Sequence, residues 1–308
     1  MEEWPYCCEG GLRTLSTVVE TKNIPVSSDR EVCLESGGDL SGVPVLVHNG
    51  SPNSRHLYGP WLADAGRKGI RLMSYDRPGY GQSTTYPDHT VASGADDVRA
   101  IAESLGLSRL GVWGISGGGP YALACGALLG DLVVGVGAVA SLAPYGQIGL
   151  DYFQGMGERN VEDIELFFAD REAARRKGHE DWQEFMAASP EQLAEGLKSL
   201  LCPADAQMLT GDLADWLVQS IHDGLAPGDQ GWWDDGVSHL TDWGFQLSAI
   251  AIPTKVWHGR QDRFVPVQHG EWLAANIPDS EAEISDGDGH LTLIDRIGEV
   301  HDWLLGHF

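Results

Sequence analysis

Five cysteines in 308 residues, Cys7, Cys8, Cys33, Cys125 and Cys202, are too few and too scattered to cross-link anything. Their odd number, the lack of a Cys-x-x-Cys pair and the lack of adjacent histidines exclude a disulfide framework and a zinc site. Basic residues are scarce as well: 20 Lys and Arg stand against 45 Asp and Glu, a formal charge of −25 at pH 7. A surface of that sign repels polyphosphates, so neither nucleic acid nor an anionic membrane is an expected partner, and the excess acid reads as a solvated, solubilising face. Long apolar runs are missing too. The longest, Leu132 to Ala143, falls short of the roughly 18 residues that a membrane span requires. Met1-Glu2-Glu3-Trp4-Pro5 has neither the basic nor the apolar part of a secretory leader, so the expected location is cytoplasmic. No repeat, no low-complexity tract and no residue set calling for a metal or organic cofactor is visible.

What is present suits one large domain or about two small ones, with 42% hydrophobic residues to fill a core. Residues 1–15 mix aromatic, cysteine and glycine residues without a period and are assigned to an N-terminal extension. Thr17 to Thr21 and Arg30 to Ser36 read as short strands, separated by turn chemistry at Asn23-Ile24-Pro25 and Ser27-Ser28-Asp29, which predicts an antiparallel start. From Val43 strands and helices alternate. Val43 to His48 is an unbroken apolar run of the kind buried on both faces, and a further strand is expected at Ile70 to Tyr75. Helices are expected around Trp61 to Lys68 and Ala92 to Leu105, and a strand near Leu132 to Ala140. Alternation of this kind predicts a mostly parallel sheet with helices on both faces.

Near Pro144 the alternation stops, and it resumes at Ile252. The stretch between carries helical signals. Asn160 is placed to cap a helix that ends at Arg175-Arg176-Lys177-Gly178, and Ser189-Pro190-Glu191-Gln192 is a capping box. Leu213, Trp216, Leu217 and Ile221 form a further apolar stripe, and Gly224 to Gly236, with Trp232 and Trp233, reads as a loop. Beyond it come a strand at Thr254 to Gly259, a helix at Val267 to Ala275, a strand at Glu281 to Ile284 and a final amphipathic helix carrying Ile294, Ile297, Val300, Trp303 and Leu304.

Gly114-Ile115-Ser116-Gly117-Gly118 lies between an apolar strand and a small-residue helix. A serine on so sharp a turn points its hydroxyl out of the sheet, and flanking glycines permit the close approach. In a chain with 40 glycines such a string occurs readily by chance, so context has to carry the reading. Hydrolysis by a serine needs a base, a carboxylate to orient it, and amides for the oxyanion. Ser116, Asp262 and His290 each follow a predicted strand, where reactive groups of parallel sheets lie, and come in the order nucleophile, acid, base. Asp286 and Asp288 are nearer to His290 in sequence but share its turn, so Asp262 is preferred. His48 and His258 are read as structural partners of the loops, and Asp76 as a turn former.

Together with His48-Asn49-Gly50-Ser51-Pro52, Asp76-Arg77-Pro78-Gly79-Tyr80-Gly81-Gln82-Ser83, His258 to Pro266 and Asp288-Gly289-His290, the serine turn resembles an α/β-hydrolase fold enzyme with a helical cap, from about Val43 to the C-terminus. The resemblance implies core segments at 16–144 and 246–308 with the cap at 145–245. It also implies Ser116 as nucleophile, His290 as base and Asp262 as orienting acid. The implied oxyanion hole consists of the amides of Gly117 and Ser51. Asn49 intervenes where relatives have histidine directly before glycine, which leaves Gly50 as the alternative to Ser51. The expected substrate is a small molecule, a neutral and fairly apolar carboxylic ester or lactone, with no cofactor and a monomer or homodimer as the working form. Amide or amino-terminal peptide cleavage, with Glu180, Glu184 and Glu191 holding an amine, stays open. So do carbon–carbon bond hydrolysis and a ligand-sensing module with little turnover. Epoxide and haloalkane hydrolysis are disfavoured, because relatives with that chemistry carry aspartate where Ser116 stands. Tryptophans 182, 216, 232, 233 and 243 are candidates for an apolar roof.

Overall fold

The computed structural model describes residues 19–197 and 200–308. The proposed extension at 1–15 and the start of the first predicted strand lie outside them. Among the described residues eight strands form one sheet in the order β1-β2-β4-β3-β5-β6-β7-β8. β1 (Glu20–Pro25) runs antiparallel to β2 (Glu31–Gly38), and β2 antiparallel to β4 (Ile70–Tyr75). From β4 onward all pairings are parallel, through β3 (Val43–His48), β5 (Leu110–Ile115), β6 (Val133–Val139), β7 (Thr254–Gly259) and β8 (Glu281–Ser285). The antiparallel start is as expected, but Asn23-Ile24-Pro25 is strand rather than turn. Ile24 is fully buried opposite Val32, and Pro25 closes an edge strand, where a missing N–H is tolerated.

Alternation along the central strands sends side chains to two cores. Leu46, Met73, Val112 and Val136 pack with α2 (Ser93–Leu105), α3 (Gly119–Leu128) and α10 (Val267–Asn276). Val45, Val47, Leu72 and Trp113 point the other way, toward α1 (Gly59–Arg67) and α11 (Ile297–Leu305). Ile294 belongs to a 3-10 turn at Thr292–Arg296 that precedes α11, not to the helix itself.

Between β6 and β7 the described residues form six α-helices: α4 (Glu158–Ala169), α5 (Arg171–Ala187), α6 (Pro190–Gly196), α7 (Pro203–Met208), α8 (Gly211–Leu225) and α9 (Gln230–Leu240). The capping box at Ser189 is present. Two expectations are corrected. The helix predicted from Asn160 to Gly178 is two: α4 starts after Gly157 and ends at Ala169, and the Asp170 carboxylate caps α5 by accepting from the Ala173 amide. The stretch containing Trp232 and Trp233 is helix, not loop. Its Gly231, which reads as a breaker, is required because a side chain there would begin 2.5 Å from the backbone of Gly79. Among the described residues no helix is long and apolar enough to cross a membrane.

Candidate active site

Ser116 follows β5 directly and adopts φ +55, a left-handed conformation uncommon for a residue with a side chain. A 3-10 turn at Ser116–Gly118 leads into α3, whose first turn contains Pro120. A side chain at Gly118 would collide with the His48 carbonyl, so the turn can pack against the end of β3 only with glycine there. The strain at Ser116 is held by packing on both sides.

Asp262 and His290 lie just beyond β7 and β8. Asp262 Oδ2 is 2.7 Å from His290 Nδ1, while its Oδ1 accepts from the amides of Phe264 at 2.8 Å and Val265 at 2.9 Å. A carboxylate only accepts, so Nδ1 carries the proton and Nε2 is the acceptor of the neutral ring. Burial alone would lower the His290 pKa, but the charge and hydrogen bond of Asp262 and the charge of Asp205 outweigh it, and the net shift is upward from 6.5. Phe264 stacks on the imidazole at 4.8 Å between centroids. Asp286 and Asp288 point elsewhere, to Arg260 at 2.8 Å and Arg296 at 3.1 Å.

His258 Nε2 donates to the Val265 carbonyl at 2.8 Å, tying down the turn that bears Asp262, and burial lowers its pKa. Burial also lowers His48, with help from the Arg77 charge, to about 3, so this ring is neutral at pH 7. Asp76 accepts from the Arg55 amide and guanidinium, both at 2.7 Å, and from the Gln82 amide at 3.0 Å, as a turn former should.

Ser51 and Gly117 adjoin each other, since a side chain at Gly117 would begin 2.5 Å from Ser51 Oγ, while one at Gly50 would begin 3.4 Å from the Ser116 Cβ. Among the described residues the Ser51 amide has no hydrogen-bond partner. The intervening Asn49 turns its side chain into the loop, donating to the Ser54 carbonyl at 2.7 Å.

These groups open into a pocket of about 300 Å³ that includes Ser51, Ser116, Gly117 and His290. Its walls are mainly apolar, with Trp216, Trp232, Leu193, Ile221 and Phe264 among them. Its charged members are paired: Arg159 meets Asp181 at 2.7 Å, and Lys177 reaches from outside to Asp163 at 2.9 Å and Asp181 at 2.8 Å. Of the candidate roof, Trp233 lines an adjoining pocket that shares Asp163, Ile164, Asp181 and Trp232 with this one, Trp182 donates to the Leu225 carbonyl and Trp243 to that of His239. Glu180, Glu184 and Glu191 are exposed and do not line the pocket, although Glu184 lies 3.9 Å from Arg159, which does.

Three residues that the sequence reading passed over touch this site, all from the inserted helices. Asp205, on α7 and fully buried, accepts from the amides of His290 at 2.9 Å, Leu291 at 2.8 Å and Thr292 at 3.1 Å. Asp235 and His239, on α9, contact Ser51 and Gly117. In a chain with 45 acidic residues, nothing in the sequence separates two buried aspartates from the solvated majority.

Sheet order, serine turn and the imidazole–carboxylate pair past the last two strands define a hydrolase-type α/β protein. The chain belongs to the alpha/beta hydrolase fold family, which matches residues 43–297. It is 27% identical over 265 residues to the AB hydrolase superfamily protein YisY of Bacillus subtilis, covering 81% of this chain and 85% of that one. It is 25% identical to a 2-hydroxy-6-oxononadienedioate/2-hydroxy-6-oxononatrienedioate hydrolase of Cupriavidus pinatubonensis, covering 84% and 83%. Among solved structures a thermophilic esterase from Thermogutta terrifontis shares the fold with a TM-score of 0.68 at 21% identity, over 94% of this chain and all of that one.

Proposed function

We propose that this hydrolase cleaves a neutral, fairly apolar carboxylic ester or lactone through an acyl-Ser116 intermediate, with the helices of 145–245 acting as a cap over the serine. The observation that carries the reading is the pocket: an Asp262–His290 pair and a strained Ser116 open into an apolar space whose charges are already neutralised by one another. His290 Nε2 takes the Ser116 proton as Oγ attacks the carbonyl carbon, and the amides of Ser51 and Gly117 receive the oxyanion. The C–O bond to the leaving group breaks as His290 returns the proton to it, and water repeats the sequence on the acyl-enzyme. Each amide donor contributes about 3 kcal/mol to the transition state.

Carbon–carbon bond hydrolysis is the second reading, favoured by the Cupriavidus relative and compatible with the same residues. Cleavage of amino-terminal residues is the weaker alternative, since none of its three candidate glutamates lines the pocket and Glu184 reaches it only through Arg159 at 3.9 Å. The test is mass spectrometry of intact protein after a fluorophosphonate probe, with p-nitrophenyl ester turnover, on wild type, Ser116→Ala and His290→Ala. Labelling and turnover confined to the wild type are expected. A folded wild type that does neither overturns the reading and leaves a ligand-sensing module in its place.

A further inference from the structure

We infer that helix α9 of the inserted segment assembles the oxyanion-binding groups, with Asp235 and His239 as positioning residues for Ser51 and Gly117. The inference rests on the ester-hydrolase reading and names residues that such a reading does not contain.

Asp235 and His239 are one helical turn apart and therefore share a face of α9. Asp235 is fully buried, and the side chains that donate to its carboxylate, Ser51, Arg77, Tyr80 and Tyr121, all come from the core. Its Oδ2 accepts from the Ser51 hydroxyl, from Arg77 Nη2 at 2.7 Å and from the Tyr80 hydroxyl at 3.1 Å. Its Oδ1 accepts from the Tyr121 hydroxyl at 2.6 Å and from Arg77 Nε at 3.1 Å. Arg77 also donates to the carbonyl of Asn49 at 2.5 Å and to Ser51 Oγ at 2.9 Å. The Ser51 hydroxyl accepts from the guanidinium and gives its own proton to Asp235. The loop's hydroxyl and its Asn49 carbonyl are thereby fixed, while its Ser51 amide stays uncommitted.

The second contact works on the other donor. His239 Nε2 lies 2.8 Å from the Gly117 carbonyl, and a carbonyl only accepts, so Nε2 bears the proton. Burial lowers this ring's pKa from 6.5, against the raising influence of Asp235, and it is neutral at pH 7. The bond sets the rotation of the backbone immediately after the amide that faces the substrate oxygen. Preorganised donors are what an oxyanion site requires, because donors that must reorient during reaction lose most of their value. Without α9, Arg77, Tyr80 and Tyr121 would lose the anion they surround, and Ser51 would lose the acceptor that orients it.

The test uses p-nitrophenyl butyrate turnover and inhibition by phenylboronic acid, whose boron adds to a serine Oγ and mimics the tetrahedral intermediate. Gln places its Nε2 where the histidine Nε2 stands, whereas the Asn amide stops at the Nδ1 position. Expected is a loss of about 10- to 100-fold in kcat for His239→Asn, with KM within about twofold of wild type and boronate affinity weakened by the same factor as kcat. His239→Gln recovers both to within about threefold, at the same Tm as His239→Asn. Asp235→Asn lowers kcat and boronate affinity together. The His239 pair decides the question even where Asp235→Asn fails to fold. Wild-type kcat in His239→Asn overturns the inference alone. A wild type that neither turns over the ester nor binds the boronate overturns the ester-hydrolase reading and this inference with it.

Discussion

The sheet and the inserted helices both bury apolar side chains, but the helices also reach the site with buried carboxylates whose partners lie on the core loops. The sheet commits apolar residues to two cores, and its reactive groups occupy the loops just past the strand ends. The inserted helices gather a small apolar cluster, Leu193, Ile221 and Leu225, around Tyr80 of the core loop after β4. They dock on the core partly by apolar packing, Leu209, Leu213 and Ala214 joining the cluster of Val45 and Trp113, and partly through buried carboxylates: Asp205 into the turn of His290, Asp235 onto Arg77 and Ser51. Rigid strands can place a nucleophile by packing alone, whereas loops need their N–H groups and hydroxyls tied down, and a buried carboxylate satisfies several at once.

The comparison breaks first at the core. Asp262→Asn should lower kcat by about 10⁴-fold, because the amide imposes the wrong tautomer on His290, while Asp286→Asn should stay within about twofold. Equal losses in a steady-state assay would reassign the orienting acid. Asp205→Ala tests the insert's claim on the base. It leaves three amides without an acceptor, so the expected results are a loss of about 2–4 kcal/mol by urea denaturation and a kcat lowered by about 10-fold or more. Unchanged kcat would reduce Asp205 to a packing role.

A smaller effect concerns specificity. Trp232→Ala opens the pocket wall, and across p-nitrophenyl esters of rising chain length kcat/KM should fall by about 10-fold for the acyl chains that reach it and little for acetate. A uniform loss along the series would remove Trp232 from the roof. The pH dependence is subtler still. As the proposed base, His290 would act only when neutral, and although burial lowers its pKa, Asp262 and Asp205 outweigh it and the net shift is upward from 6.5. Activity is therefore full well above the raised value and falls as pH drops through it, with a midpoint above 6.5 in kcat/KM. Asp205→Asn, which removes one of those charges, should move the midpoint down.

How far the sequence could be read follows the same division. Val43–His48, Ile70–Tyr75 and Thr254–Gly259 match their predicted bounds because these mainly buried strands stand out as short, largely apolar stretches between turn residues. Ser116, Asp262 and His290 were legible as candidates because each follows a predicted strand, and the structure brings Asp262 and His290 into contact around one pocket with Ser116. The helices were harder. Asp170 divides α4 from α5 with one side-chain bond, α7 is capped by Cys202, an unusual residue for that position, and Gly231 disguises α9 as a loop. Asp205 and Asp235 acquire their meaning only from partners far away in the chain, His290 and Ser51 being 85 and 184 residues off.

That separation bears on how such a protein can be recombined. The acceptor for the His290 turn is carried by the inserted segment, and its three donors by the last stretch of the core. A chimaera that takes its insert from a relative lacking an acid at the place of Asp205 would keep all of Ser116, Asp262 and His290 and still present the base on an untethered turn. Exchange of the segment between relatives is therefore constrained at single side chains inside it, and substrate range and catalytic competence cannot be inherited independently of each other.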